Sequence, residues 1–271
     1  GHVSRTIESL VQEAQNLARM GVKEIMLIAQ ELTYYGLDLY KERALPKLLD
    51  ALCEVEGIEW IRLHYAYPSK FPLEIFDVIA RQPKVCNYLD IPLQHASDGV
   101  LQRMKRQTTR EEQRQLIFEA RKRVPDIAIR TTFLVGFPGE TEEEFEELCD
   151  FVKEMQFERL GVFQYSHEED TSAYLVEDDV PAEVKEERAS TLMAIQQDIS
   201  NDKNHNKVGQ TFKVLFDRKE GEFFIGRTEY DSPEVDNEVL VDAKKHFVRL
   251  GDFSTIQITE ADDYDLYGVP V

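Results

Sequence analysis

IRTTFLVGFPGETEEEF, residues 129–145, decides how the rest of the chain is read. It begins as an apolar, β-branched run, breaks at Gly136, Pro138 and Gly139, and resumes with helical spacing at Phe145, Leu148, Cys149, Val152 and Met155. That pattern is a strand, a tight turn and a helix. Thr141 and Glu144 have the spacing of a capping box, and Glu142, Glu143 and Glu144 suit the positive end of the helix dipole. Glycines and a proline at the carboxyl end of a buried strand let a planar ligand lie close to the backbone, and α/β folds bind ligands at that edge. An ordinary strand-to-helix junction has the same spacing.

The same alternation extends to both sides. A helix is expected from Ile7 to Ala18, then a buried strand over Glu24–Ala29 that ends at Gln30 and Glu31. Those two polar side chains are placed either to face a ligand or to cap the following loop. Helical stripes at Leu45, Leu48, Leu49 and Leu52 and at Leu73, Phe76 and Ile79 alternate with strands over Ile58–Ala66 and Cys86–Leu93. Ser97 is a candidate cap for a short helix, and Thr109 with Glu112 forms a second capping box. A last strand covers Arg159–Ser166. Repeated βα units call for a parallel sheet with right-handed crossovers. Five strands are too few for a closed eight-stranded barrel, so an α/β fold built as an open, partial TIM-type barrel is expected.

After a polar loop, Pro181 opens a long helix through Val184, Arg188, Leu192, Ile195 and Ile199, which closes the first domain, residues 1–205. From residue 206 to 271 the pattern changes to five short β segments, TFKVLF, FFIGRTE, EVLVDA, STIQIT and YDLYG. Such a run predicts a small all-β barrel of the oligonucleotide-binding type. Its eight Lys and Arg against fourteen Asp and Glu, a difference of −6, argue against a plain RNA-binding module.

Bulk properties narrow the partners. Thirty-two basic against 52 acidic side chains give a net charge of −20, which repels a phosphate backbone and suits a basic protein or a small ligand. No direct nucleic-acid contact is expected. No stretch is long and apolar enough to span a membrane, and GHVSRTIESL lacks the pattern of a signal peptide, so a soluble, cytoplasmic setting is expected. Cys53, Cys86 and Cys149 lie 33 and 63 residues apart, without metal-ligand spacing, and no disulfide framework or metal site is expected from them.

GHVSR, LIAQELTYYG, YLDIPLQHASDGVLQRMKR, RTTFLVGFPGETEEEF, FQYSHEEDTSAY, YDSPEVDNEVLV and YDLYG, in that order, resemble the radical S-adenosylmethionine methylthiotransferases, and within them most closely the RimO-type branch. The resemblance implies a radical SAM partial barrel followed by a TRAM domain. It implies that S-adenosylmethionine is bound by Gln30 and Glu31 at its amino group, by Gln94 toward ribose and methionine, by Arg130 at its carboxylate with Thr132 on the same face, and by Gly136 and Tyr165 near adenine. Three cysteines in a CxxxCxxC loop hold the family's radical 4Fe-4S cluster, and that loop is absent from these residues. The first barrel strand and an amino-terminal domain with a second cluster are absent too, so the cluster ligands lie outside this chain. Asp170 stands where the family usually has glycine.

The activity implied is methylthiolation of an aspartate β-carbon in a decoding-site ribosomal protein, with a reductant protein feeding the cluster. The alternatives are a MiaB-type relative acting on transfer RNA, and a binding scaffold without chemistry. An acidic small domain favours the basic ribosomal protein, and Asp231, Glu234 and Asp236 are candidate contacts for its basic side chains, or turn acids on an exposed β surface.

Overall fold

The structure is a computed structural model and describes residues 3–167 and 176–271. Gly1, His2 and Asp170, on which the resemblance also bears, lie outside the described residues. The first domain runs α1 (Ile7–Arg19), β1 (Glu24–Leu27), α2 (Leu37–Tyr40), α3 (Leu45–Cys53), β2 (Trp60–Leu63), α4 (Glu74–Arg81), β3 (Val85–Asp90), α5 (Asp98–Arg103), α6 (Arg110–Arg123), β4 (Ala128–Val135), α7 (Glu142–Met155), β5 (Arg159–Gln164) and α8 (Ala182–His205). The five strands pair in sequence order, all parallel, as one sheet that does not close on itself.

Strand β4 shows why the pattern folds this way. Ile129, Thr131, Phe133 and Val135 are buried on one side of the sheet, while Arg130, Thr132 and Leu134 are half-buried on the other. The buried side meets Leu48, Leu49 and Leu52 of α3, Phe76 and Ile79 of α4, and Leu148, Phe151 and Val152 of α7 in one apolar core. Each such side chain contributes about 1.5 to 3 kcal/mol of transfer free energy. The opposite, polar side is left for the site.

Both capping boxes form, at Thr109 with Glu112 and at Thr141 with Glu144. Ser97 stands at the N-cap of α5 but makes no side-chain cap bond; its N–H donates instead to His95 Nδ1 at 3.0 Å. Helix α8 differs from its expected stripe. Lys185, Arg188, Gln196, Ser200 and Asn204 are buried on it together with Leu192 and Ile199, because this helix lies against strand ends and turns that need polar partners. Gln196, for example, donates to the Phe157 carbonyl at 2.9 Å.

The second domain is a closed barrel in the order β10-β8-β7-β6-β9, made of β6 (Thr211–Glu220), β7 (Phe223–Arg227), β8 (Val239–Asp242), β9 (Phe253–Ala261) and β10 (Leu266–Pro270). Val214, Phe216, Val241, Ile256 and Ile258 fill it. The five β segments expected from the sequence are its five strands.

Candidate functional site

The polar side of the sheet has two levels. At the carboxyl ends of the strands, Gln94 is locked to β4: its N–H donates to the Thr132 carbonyl and its own carbonyl accepts from Leu134 N–H, both at 2.8 Å. Its φ is +72°, a left-handed conformation uncommon for a residue with a side chain. Tyr65, just past β2 on the neighbouring strand, is left-handed as well, at φ +59°, and half exposed. Backbone strain of this kind gathers at ligand sites. Nothing in HYAYPS marks Tyr65 for a positive φ, so sequence reasoning passes over it.

Gln94, Thr132, Gly136 and Tyr165 come together at this edge, since Tyr165 N–H donates to the Val135 carbonyl at 2.9 Å. Tyr165 is buried edge-on against Phe137, with ring centroids 5.4 Å apart. Gln30 and Glu31 follow β1, two strands away from β3. Gln30 is exposed, whereas Glu31 turns back on its own loop. Its Oε1 accepts from Thr33 N–H at 2.8 Å and Thr33 Oγ1 at 2.6 Å, capping a 3-10 turn over Leu32–Tyr34. Of the two sequence readings for Glu31, the loop cap describes that oxygen. A cleft of about 340 Å³ runs along the outer edge of β1 beside α1, but none of Gln94, Thr132, Gly136 or Tyr165 lines it.

Gly136 has φ +75°, which suits glycine, and a Cβ built on it would lie 2.3 Å from Lys185 Cγ. On the side where a Cβ would stand, the space that glycine leaves is filled by the methylenes of Lys185. Lys185 is held there by Asp178, at 2.6 and 2.9 Å. Gly136→Ala is expected to destabilise by about 2 to 4 kcal/mol, combining the left-handed cost with overpacking, as a urea denaturation midpoint would report.

Arg130 corrects a second expectation. Its Nη1 donates to Asp236 at 2.7 Å, and Asp90 lies 3.8 Å from its Nε, beyond hydrogen-bond reach but close enough to attract the charge, so carboxylates of the chain itself already face it. It is not a free cation waiting for a cofactor carboxylate. Arg106, in the loop after α5, has no carboxylate partner among the described residues, and its guanidinium lies over the Tyr67 ring at 5.6 Å. That stacking is a property of the fold that spacing alone does not reveal.

The lower level is closed by the second domain. The end of β7 and the loop between β7 and β8 reach under the sheet and together meet every one of its strands. Arg227 pairs with Glu24 of β1 at 2.7 Å, and the Glu229 carbonyl accepts from Arg62 of β2 at 2.6 Å. Asp236 accepts from Tyr88 of β3 and Arg130 of β4, each at 2.7 Å, and Asp231 accepts from Arg159 Nε of β5 at 2.7 Å. Ser232 Oγ lies 3.0 Å from His64 Nε2. Asp231 and Asp236 are thus buried and paired inside the molecule, which corrects their expected role as outward contacts for a basic partner. A buried carboxylate is tolerated only with such partners. Glu234 alone of the three acids is exposed.

The cysteines fit no iron–sulfur cluster. Cys53, Cys86 and Cys149 are buried in α3, β3 and α7, and burial pushes their thiols up to about 11, 12 and 11. No group of three His, Cys, Asp or Glu among the described residues is arranged to hold a metal ion. The three thiols are core side chains of separate elements, protonated at neutral pH.

A family model described as the radical SAM superfamily matches residues 1–152, and one described as the TRAM domain matches residues 208–271. The ribosomal protein uS12 methylthiotransferase RimO of Flavobacterium johnsoniae is 61% identical over 269 residues, 99% of this chain and 62% of that protein. Its counterpart in Christiangramia forsetii is 61% identical over 271 residues, 100% of this chain and 60% of that protein. The chain therefore spans about three-fifths of the length of these curated relatives. Among solved structures, coproporphyrinogen III oxidase (HemN) from Escherichia coli, described as a radical SAM enzyme, aligns with TM-score 0.59 at 16% identity, covering 98% of this chain and 64% of that one. That likeness extends to the fold alone. The resemblance read from the seven sequence segments is borne out, and the chain belongs to the radical SAM superfamily, with a TRAM domain at its carboxyl end.

Proposed function

We propose that these residues are the barrel and small domain of an enzyme that methylthiolates the β-carbon of an aspartate in a small-subunit ribosomal protein. The observation that carries this reading is the 61% identity to uS12 methylthiotransferases, which runs through both domains and the loop that joins them. S-adenosylmethionine would lie along the carboxyl edge. The amides of Gln30 and Gln94, the hydroxyl of Thr132 and the guanidinium of Arg106, which has no carboxylate partner among the described residues, are donors suited to a zwitterionic amino acid and a ribose. When bound, the cofactor supplies hydrogen abstraction from an unactivated carbon.

The task of this chain is to bind and enclose. Left-handed Gln94 and Tyr65 fix the shape of the edge, Lys185 and Tyr165 wall it near Gly136, and the floor loop keeps water from entering below. The 4Fe-4S clusters would be held by cysteines outside these residues and fed by a reductant protein. The net charge of −20 favours a basic protein substrate over RNA, in a cytoplasmic setting. No helix among the described residues is long and apolar enough to cross a membrane.

The test uses the full-length protein with its clusters rebuilt anaerobically, given S-adenosylmethionine, reductant and a sulfur source, and offered uS12 and transfer RNA in parallel. Mass spectrometry is expected to find the methylthio group on uS12 only. Modification of the RNA instead would overturn the substrate, and modification of neither would overturn the activity. The 271-residue chain alone is expected to bind S-adenosylmethionine weakly and to give no turnover.

A further inference from the structure

The two loops that carry Gln94 and Gly136 are joined by a single buried carboxylate, that of Glu140. Its side chain and that of His95 are both fully buried. Glu140 Oε1 accepts from Gly136 N–H at 3.0 Å and from Arg188 Nη1 at 2.7 Å, while Oε2 lies 2.9 Å from His95 Nε2. Ser97 N–H donates to His95 Nδ1 at 3.0 Å, so Nδ1 is the acceptor and the ring proton sits on Nε2, where it donates to Glu140. One carboxylate thus draws its donors from three segments: the turn after β4, the turn after β3 and helix α8.

A buried ion pair seldom stabilises a fold more than well-packed apolar side chains in its place. What Glu140 and Arg188 provide is a fixed geometry, because a carboxylate with three directional donors admits one arrangement of the segments that supply them. The neighbours of these donors are the strained positions. His95 follows left-handed Gln94 directly, and Gly136 is itself a donor to Glu140.

We propose that Glu140, acting with His95, is a positioning residue for the cofactor: it sets the Gln94 loop and the Gly136 loop at the separation S-adenosylmethionine requires. This rests on the reading above that these loops hold that cofactor. A longer or shorter link would leave the chain folded and the edge misaligned.

The test is equilibrium binding of S-adenosylmethionine to the cluster-loaded, full-length protein. Glu140→Gln keeps the size and loses the charge that gathers three donors, and is expected to raise Kd about tenfold. Gln94→Ala is expected to raise it by a similar factor, and the double variant no further than the worse single, because both changes act on one loop. Gln196→Ala, which removes a buried hydrogen bond further along α8, is the stability control and is expected to lower Tm while leaving Kd unchanged.

Additive effects of Glu140→Gln and Gln94→Ala, an unchanged Kd in Glu140→Gln, or an equal rise in Gln196→Ala would each overturn the proposal. If Glu140→Gln does not fold, His95→Gln replaces it, since it leaves the Gly136 and Arg188 bonds in place. It is expected to raise Kd about threefold, and no change there sinks the proposal. Absence of binding by the unsubstituted protein would remove the cofactor reading itself, and this inference with it; normal binding with an indifferent Glu140 would remove this inference alone.

Discussion

Replacing Asp231 with alanine is expected to cost the folded chain about 3 to 5 kcal/mol, the range for breaking a buried ion pair by removing one partner. Arg159 is 5% exposed and Asp231 1%, and the guanidinium meets the carboxylate through both Nε and Nη2. Without Asp231, a cation stays in an interior from which water has been removed, with the Glu158 carbonyl at 2.6 Å as its remaining acceptor among the described residues. Thr228, whose hydroxyl donates to Asp231 at 2.9 Å, loses its partner too. The measurement is a urea denaturation midpoint followed by both fluorescence and circular dichroism. Replacing the two together, Arg159→Met with Asp231→Leu, is expected to recover most of the loss, since apolar pairs of similar volume are often as stable as the ions they replace. A single Asp231→Ala that costs less than about 1 kcal/mol, the worth of a surface pair, would show that the contact carries little of the interface.

The same seam is expected to fail in acid. Burial by itself raises the carboxyl of Asp231, but the charges of Arg159 and Lys207 and the hydrogen bonds from Arg159 and Thr228 together outweigh it and hold the group below its ordinary value. Glu24 behaves alike, with burial pushing it up and Arg62 and Arg227 more than reversing the push. A group depressed in the folded state contributes stability that is complete above its unfolded value, about 4 for these acids, and is lost as pH falls through the lower folded value. Glu229 has the opposite sign, because burial raises it beyond what Asn87 N–H offsets. Its contribution is present below the unfolded value and lost as pH rises through the folded one, so it softens the acid decline without reversing it. Denaturation midpoints are expected to drop as pH falls below about 4. In Asp231→Asn the drop is expected to be shallower; an unaltered slope would assign the acid sensitivity elsewhere.

The fold was legible wherever the signal was local. Thr109 with Glu112 and Thr141 with Glu144 announce their helices within four residues, and the alternation along β4 gives both faces of the sheet. The candidate site was legible at its edge, where Gln94, Thr132, Gly136 and Tyr165 assemble because strand ends of one parallel sheet must. The floor was not. Asp231 and Asp236 read as surface acids of a turn-rich segment, and their partners stand 72 and 106 residues away, a pairing that periodicity and spacing do not encode. Arg130 was misplaced for the same reason, since its register fixes which way it points and says nothing of the carboxylate that arrives from another domain. Glu140 follows the glycine turn directly and reads as one more helix-start acid until Arg188, 48 residues on, is found against it.

The loop beneath the sheet also fixes an order of events during synthesis. A ribosome delivers Arg159 to the growing chain 72 residues before Asp231, and Arg130 106 residues before Asp236. Until those acids emerge, the two guanidiniums keep their water, because a cation does not enter an apolar interior unaccompanied. The underside of the nascent barrel is therefore expected to stay hydrated until the segment carrying Asp231 and Asp236 has been made. Closure of the barrel floor is expected to be coupled to the folding of the small domain that supplies its carboxylates.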